Sequence, residues 1–527
     1  MIHSPPSGII PLMPGRFYIT TPIYYPNAEP HLGTVYATIA TDAIARYHRM
    51  MGEDTFFLTG TDEHGIKMVK TAAADGLEPN QLADRIVAIF QQVWKELDIS
   101  NDDFIRTTSD RHKATVSEIV RRLTASDDIY LGSYAGWYDE GQEEFVTETE
   151  AKAAEYKSII SGKPLTRYSE PSYFFRLTKY AARVQEFIES HPDFIRPESR
   201  RNEVLSKLRA GVEDLSISRA TLKWGIPLPH DPTHVVYVWI DALSNYISAL
   251  GYASSDESKF KKYWPADVHV IGKEISWFHC VYWPAMLFAL GLELPRQVFA
   301  HGWWTSGGRK MSKSLGNFID LEKIRAIVKD YSLDALRYYL LRAAPFGSDM
   351  DFSDEDFLKA FNELGNVLGN CLNRTIKMIG RYHGGNLPAP AQLEQIDVDL
   401  NAKAAALPQQ LAHAYQQLDL QQCCLLPLEL ARATNGYIEA TEPFKLAKDP
   451  ASSGRLATVL FTAAQAIRQA LIGILPILPH KAADGLGQIG TDIKGHTLAQ
   501  LFATPLLPGT SLGQAQPLFP KLEGADR

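Results

Sequence analysis

Apolar and polar positions alternate along the first 60 residues in a way that predicts a βαβ unit. An apolar run at Phe17–Ile23 is followed by a Pro- and Asn-rich loop to Pro30, a helical stretch from His31 to Met51 and a second apolar run at Asp54–Leu58. A right-handed crossover then makes the two strands parallel. Residues 72–125 read as helical, with Leu82, Ile86, Ile89, Phe90 and Val93 at helical spacing, whereas 130–175 breaks into short Gly-, Thr- and Tyr-rich pieces. Two further buried strands, at His234–Ile240 and Val268–Ile271, each lead into a helix, the second over Ser276–Leu290. Beyond residue 355 the strands vanish, and Ala/Leu/Gln patterns at 357–382, 400–416, 421–441 and 453–473 predict a helix bundle, with a loop at Leu387–Gln392.

The expected architecture is therefore α/β: a Rossmann-like, doubly wound parallel sheet split by an insertion and followed by an all-α bundle. The boundaries read as 14–114 and 233–305 for the two halves of the sheet domain, and 115–232 for the insertion. A connecting region follows at 306–355, the bundle at 356–510, and a Gly-, Pro- and Gln-rich tail at 511–527, either laid along the surface or disordered.

Composition narrows the class without naming it. With 527 residues, 45% apolar, 22% charged and 10% aromatic, the chain has ordinary globular usage, which excludes disordered and fibrous classes. Its longest uncharged apolar stretch, Trp277 to Leu292, is shorter than the ~20 residues a bilayer requires, so no membrane span is expected. Residues 1–16 lack the features of a secretory or transit peptide. Four cysteines, Cys280, Cys371, Cys423 and Cys424, are too few and too unevenly spaced for a disulfide framework, and a cytoplasmic address follows as the expectation. A net charge of −8 leaves nucleic-acid binding to local patches.

Two loops carry recognisable chemistry. The string from Tyr24 to Thr34 includes His31-Leu32-Gly33-Thr34 at a strand-to-helix turn. There Gly33 lets a nucleotide approach the backbone, the helix N-terminus offers N–H groups to anions, and His31 can donate to phosphate. On its residues alone the string fits a capped βα turn equally well. The second, Gly307 to Asn317, contains Lys310-Met311-Ser312-Lys313-Ser314. Its lysines would bring charge to a triphosphate as the α-bond breaks, against the alternative of a solvated basic loop.

Together the two strings resemble the HIGH and KMSKS signatures of class I aminoacyl-tRNA synthetases. Gly60-Thr61-Asp62-Glu63-His64-Gly65, Tyr237-Val238-Trp239-Ile240-Asp241-Ala242 and Gly272 to His279 resemble the motifs of the methionyl-tRNA synthetase family, over roughly residues 16–480. The resemblance implies His31, Lys310 and Lys313 as catalytic groups, and Tyr25, His31, Gly33, Thr34, Gly302, Lys310, Ser312 and Lys313 around ATP. It implies a methionine pocket of Ile23, Tyr25, Asp62, Trp239, Leu243, Tyr246, Ile275 and His279 with Phe278, in which aromatic walls suit a polarizable thioether and Asp62 takes the ammonium. A lone Asp after a strand is otherwise a helix cap, and the aromatics otherwise plain core. Asn370 and Arg374, four apart on one helix face, and Phe444 match the family's anticodon-reading positions, although on its residues alone the pair more commonly means an exposed polar face.

Three departures stand out. Thr34 replaces the second histidine of the first signature; no Cys lies between residues 1 and 279, so the insertion is expected to hold no structural zinc; and Phe444 after Pro443 replaces the family's tryptophan. The implied activity is ATP-dependent ligation of L-methionine to tRNA(Met), with ATP taken as its Mg2+ complex, by a monomer that needs no membrane. A class I synthetase for another apolar amino acid and a non-catalytic tRNA-binding paralogue are the alternatives. The settings of Asp62 and Trp239 argue against the first, and the intact Lys310 and Lys313 against the second.

Overall fold

The structure, a computed structural model, describes residues 15–140, 144–146, 148–311 and 318–520. It opens with β1 (Arg16–Tyr24), α1 (Leu32–Met50), β2 (Asp54–Thr61), α2 (Ile66–Ala74), α3 (Pro79–Glu96), β3 (Asp103–Arg106) and α4 (Asp110–Ala125). β1, β2 and β3 pair in parallel, so the stretch 72–125 read as helical contains a third strand. Four residues with charged ends are too short to interrupt a helical pattern.

The insertion follows as β4 (Ile129–Asp139), β5 (Glu144–Val146), α5 (Glu148–Ala153), β6 (Thr166–Phe175), α6 (Leu177–Ser190), β7 (Ile195–Arg196), α7 (Glu198–Ala210) and β8 (Leu215–Ser216). β5, β4, β6 and β8 form a separate antiparallel sheet. β7 does not belong to it. It pairs in parallel with a later strand of the main sheet, so 115–232 is not one detached unit: the chain returns to the parallel sheet midway through it.

Next come β9 (Ser218–Arg219), β10 (Pro227–Leu228), β11 (Asp231–Val236), α8 (Val238–Leu243), α9 (Asn245–Ser248), α10 (Ser258–Tyr263), β12 (Val268–Gly272), α11 (Trp283–Ala289) and β13 (Val298–His301). The run His234–Ile240, expected to join the parallel sheet, instead pairs antiparallel in a small sheet of β9, β10 and β11, and turns helical at Val238. β12 does join the main sheet, whose order is β3-β2-β1-β12-β13-β7. Both of its faces are covered, as an all-parallel sheet requires. Ile19, Phe57 and Val270 point into a core shared with α1 and α3, while Tyr18, Phe56 and Ile271 point into one shared with α4, α6, α9 and α11.

β14 (Trp304–Ser306), β15 (Arg309–Lys310), α12 (Leu321–Asp330), α13 (Leu333–Arg342) and β16 (Met350–Phe352) connect this domain to the bundle. The bundle comprises α14 (Asp354–Glu363), α15 (Asn370–His383), α16 (Gln395–Gln416), α17 (Leu420–Thr441), α18 (Pro443–Leu446), α19 (Ser453–Ile474), α20 (Pro479–Gln488) and α21 (Leu498–Ala503). Its axis is α19, buried almost throughout from Leu456 to Ile474. By length and composition the helical stretch Pro450–Ile474 could cross a membrane, yet 83% of its apolar window is buried inside the protein, where it serves as the bundle core. The tail is anchored as far as residue 520: Ser511 bridges to Asn386, and Phe519 is buried edge-on to Phe361. Among the described residues, no group of three or more His, Cys, Asp or Glu side chains is arranged to hold a metal.

Sheet domain and bundle are joined by charge as well as by apolar packing. Asp42, fully buried on α1, pairs with the equally buried Arg337 of α13 at 2.7 Å and with Arg46 at 2.7 Å. Burial alone would lift this carboxyl, but Arg337 and Arg46 hold it below the usual range. Arg337 also donates through Nε to the Ile477 carbonyl at 2.9 Å, in the turn between α19 and α20. Removing one partner of such a pair strands the other as a buried charge. Arg337→Ala is therefore expected to cost about 3–5 kcal/mol, read as a lowered denaturation midpoint. A midpoint equal to that of the parent would show that the pair contributes nothing.

Candidate active site

A cavity of about 500 Å3 opens at the carboxyl ends of β1, β2, β12 and β13, lined by the loops that leave those strands. In an open parallel sheet this edge is where ligands bind, because the strand order reverses there and neighbouring loops splay apart.

The turn after β1 is built by its own side chains. His31 is the N-cap of α1: its Nδ1 accepts the Gly33 backbone N–H at 3.1 Å, and the His31 N–H reaches the Thr34 hydroxyl at 3.4 Å. An accepting Nδ1 carries no proton, so the neutral ring keeps its proton on Nε2 as a donor. Thr34 thus completes a capping box, a task independent of the charge its position lacks. A Cβ at residue 33 would stand 3.1 Å from His31 Cε1, so glycine here frees the histidine ring. Gly302 also lines the cavity, and the neighbouring backbone leaves no room for a side chain there: a Cβ would lie 2.1 Å from the Ser348 carbonyl oxygen.

Asp62 is buried at the cavity wall, and its backbone N–H donates to the Tyr24 carbonyl at 2.9 Å. It caps no helix, since α2 starts at Ile66 behind Gly65. The adjacent Glu63 is clamped by Arg106 through Nε at 2.7 Å and Nη2 at 2.9 Å, which holds the loop rigid.

The apolar end of the cavity is a layered stack. Trp239 lies face to face with Phe278, centroids 3.7 Å apart and planes 6° apart. Tyr246 stacks on His269 at 4.0 Å. His279 Nδ1 lies 3.0 Å from the Ile275 carbonyl and must donate to it, which leaves Nε2 to accept from the Tyr246 hydroxyl at 2.7 Å. Burial lowers the His279 pKa to about 4, so the ring is neutral at physiological pH. Ile23, Tyr25, Leu243 and Ile275 complete the lining, so every residue expected of a methionine pocket borders one cavity. Trp239 and Tyr246 reach it from two short helices, α8 and α9, and not from one continuous face.

Of the second signature, Lys310 contributes a strand backbone paired with Thr305, while Ser312 and Lys313 lie outside the described residues. Met311 and Phe318, on either side, both line the cavity. Lys67, Asn245, Glu274 and Trp303 line it too, though the sequence did not single them out. Lys67 Nζ sits 4.5 Å over the Tyr25 ring, and the Trp303 indole donates to Glu274 at 2.7 Å. Glu274 lies within a string quoted for the resemblance; the other three carry no local signal. Asn370, Arg374 and Phe444 are elsewhere, on the bundle. Asn370 is exposed at the start of α15, and Arg374 one turn on faces Glu439 of α17 at 3.7 Å. Phe444 is 48% exposed just beyond that helix.

A parallel sheet with this histidine-capped turn at its switch point and a helical bundle behind it defines the class I aminoacyl-tRNA synthetases. The family described as tRNA synthetases class I (M) matches residues 17–155 and 149–376. Methionine–tRNA ligase of Caldanaerobacter subterraneus subsp. tengcongensis is 46% identical over 512 residues, 97% of this chain and 80% of its own, and that of Enterococcus faecalis is 47% identical over 96% of this chain and 77% of its own. A solved structure of Mycobacterium tuberculosis methionyl-tRNA synthetase in complex with methionyl-adenylate has a TM-score of 0.92 at 39% identity, covering 96% of this chain and all of its own. The chain belongs to the methionyl-tRNA synthetases.

The neutral His279 gives stability a defined pH dependence. Its folded pKa, about 4, lies below the ordinary 6.5, so the unfolded chain binds the extra proton and stability is lost as pH falls from 6.5 toward 4. About 2 kcal/mol should go between pH 6.5 and 5. Denaturation midpoints at pH 7 and pH 5 should therefore fall less in His279→Asn than in the parent; an equal fall in both would show that the parent ring is not held neutral.

Proposed function

We propose that the chain activates L-methionine with MgATP, forming methionyl-adenylate and pyrophosphate, and then passes the methionyl group to the terminal ribose hydroxyl of tRNA(Met). The observation that carries this reading is the fold match, over 96% of this chain, to a synthetase solved with methionyl-adenylate. In the first step a carboxylate oxygen of methionine attacks the α-phosphorus, and the bond to pyrophosphate breaks. In the second the ribose hydroxyl attacks the acyl carbon, and AMP leaves. No side chain forms a covalent bond, so catalysis falls to positioning and charge.

Each side chain then has a physical task. His31 Nε2–H donates to phosphate oxygens while its Nδ1 holds the turn. Lys310 and Lys313 carry positive charge to the departing pyrophosphate, and Gly33, Thr34 and Ser312 shape the nucleotide loops around them. Asp62 receives the substrate ammonium. Trp239, Phe278, Tyr246 and Leu243 enclose the thioether, with the neutral His279 adding polarity and no charge that a thioether could not balance. Asn370, Arg374 and Phe444 read anticodon bases by hydrogen bonding and stacking. All four cysteines are buried and free, which suits a reducing cytoplasm, and we take the working unit to be the monomer.

Pyrophosphate exchange with each of the twenty amino acids tests the substrate: methionine should support it and other apolar amino acids should not. Strong exchange with another amino acid would favour a different class I synthetase, and none at all a non-catalytic paralogue. Lys313→Ala should lower exchange about 10²–10³-fold with methionine affinity unchanged, since its charge acts on the transition state. Equal losses in rate and affinity would remove that role.

A second test separates the domains. Asn370→Ala, Arg374→Ala and Phe444→Ala should leave exchange at the parent level and weaken aminoacylation of tRNA(Met), Phe444→Ala by about 1–3 kcal/mol as for base stacking elsewhere. Assayed at fixed salt beside an anticodon-altered tRNA, three variants that charge both as the parent does would take anticodon reading away from the bundle.

A further inference from the structure

Behind the cavity lies a buried network that none of the roles above uses. Asp241, on α8 two residues after Trp239, is fully buried. Its Oδ2 accepts from His64 Nδ1 at 2.6 Å and its Oδ1 from His112 Nε2 at 2.7 Å. A carboxylate only accepts, so both rings must donate, which fixes their orientation. His112 Nδ1 in turn lies 2.8 Å from the Ser248 hydroxyl on α9. Burial alone would raise the Asp241 pKa, but His64, together with hydrogen bonds from both rings, holds it down at about 2. None of Asp241, His64, His112 or Ser248 lines the cavity.

The placement of these groups is what gives the network a function. His64 is two residues beyond Asp62 on the β2–α2 loop; Asp241 stands between Trp239 and Leu243; Ser248 is two residues beyond Tyr246. The network thus ties together the three segments that carry the ammonium acceptor and the apolar walls, and α4, which supplies His112, braces them from behind. Its hydrogen bonds run within these segments, whereas His31, Gly33 and Gly302 sit on the turns after β1 and β13, the first of which meets the Asp62 loop through the Asp62 N–H and the Tyr24 carbonyl. We propose that Asp241 is a positioning residue for methionine, holding the Asp62 loop in register with the helices that bear Trp239 and Tyr246, so that it governs amino-acid recognition and leaves ATP recognition alone. This rests on the assignment of the cavity's apolar end to methionine.

Asp241→Asn keeps the size but offers an N–H to a ring that is itself donating, so one histidine must change tautomer or turn away. Displacements of about 1 Å can cost on the order of 10²-fold. In pyrophosphate exchange the variant should raise KM for methionine about 10–100-fold, with KM for ATP within about threefold of the parent. A merely structural role would lower the denaturation midpoint and leave both KM values where they were, or move them together; either result overturns the proposal. Should Asp241→Asn fail to fold, Ser248→Ala removes the outermost hydrogen bond of the network, together with the hydroxyl's 3.3 Å bond to the Asn245 carbonyl, and should still raise KM for methionine alone; an unchanged value overturns the proposal equally. Asp62→Ala, run in parallel, separates the two levels. If it leaves methionine KM at the parent value, the assignment of the cavity fails and the inference goes with it. If it raises KM while Asp241→Asn does not, the positioning inference alone fails.

Discussion

The architecture depends on one strand pairing made across 249 residues. β1 and β12 meet at the centre of the parallel sheet through Ile19 opposite Val268 and Thr20 opposite His269. The register is pinned by side chains: Thr20 Oγ1 lies 2.9 Å from His269 Nδ1, and Asp267 accepts both the Tyr18 backbone N–H at 2.8 Å and Arg16 at 2.8 Å. Strand order reverses at this pairing, so the loops after β1 and β12 diverge and leave room for a substrate between them. The entire insertion is chain that must leave and return without disturbing that contact. The return of β7 to the sheet edge shows that it comes back before the second half begins.

What could be read from the sequence follows from how local each signal is. The turn from Tyr24 to Thr34 combines a strand end, a capping residue and a glycine within eleven positions, and those local preferences agree with the tertiary structure. β7, two residues long, has no periodicity to detect; only β13 beside it makes it a strand. The run at His234–Ile240 is apolar because it is buried, and burial does not disclose which sheet a strand joins or in which direction. The site shows the same division. Asp62 and Trp239 sit in quotable strings. His112 lies in an ordinary polar helix, and its importance arises only from meeting Asp241 through the fold.

Buried ionised groups recur around the cavity although the chain as a whole is only modestly acidic. Glu63 with Arg106, Asp241 with two histidines and Asp42 with two arginines each place a carboxylate where water is excluded. Apolar replacements of equal volume would often be as stable, so stability alone does not account for such groups. They differ from apolar contacts in being directional. A carboxylate held by two donors tolerates little sliding, which suits a site that must hold its substrates in a fixed relative geometry.

That reasoning extends to the bundle. α1 is 19 residues long, about 28 Å at 1.5 Å per residue, and its first cap is the His31 that faces the cavity. Three turns further on, Asp42 is gripped by Arg337, whose other donors hold the carbonyls of Pro476 and Ile477 in the bundle. The same bundle turn is fastened a second time, because Asp334 of α13 accepts the backbone N–H groups of His480 and Lys481 at 3.0 and 2.6 Å. One rigid helix therefore has its start in the reaction cavity and its middle bolted to the domain that carries Asn370, Arg374 and Phe444. If the bundle reads the anticodon as proposed, a flexible tether would let the bound tRNA present its acceptor end to the cavity in many orientations. A fixed helix with directional contacts at its start and its middle restricts those orientations, so that on the proposed assignment anticodon affinity can be converted into placement of the ribose hydroxyl.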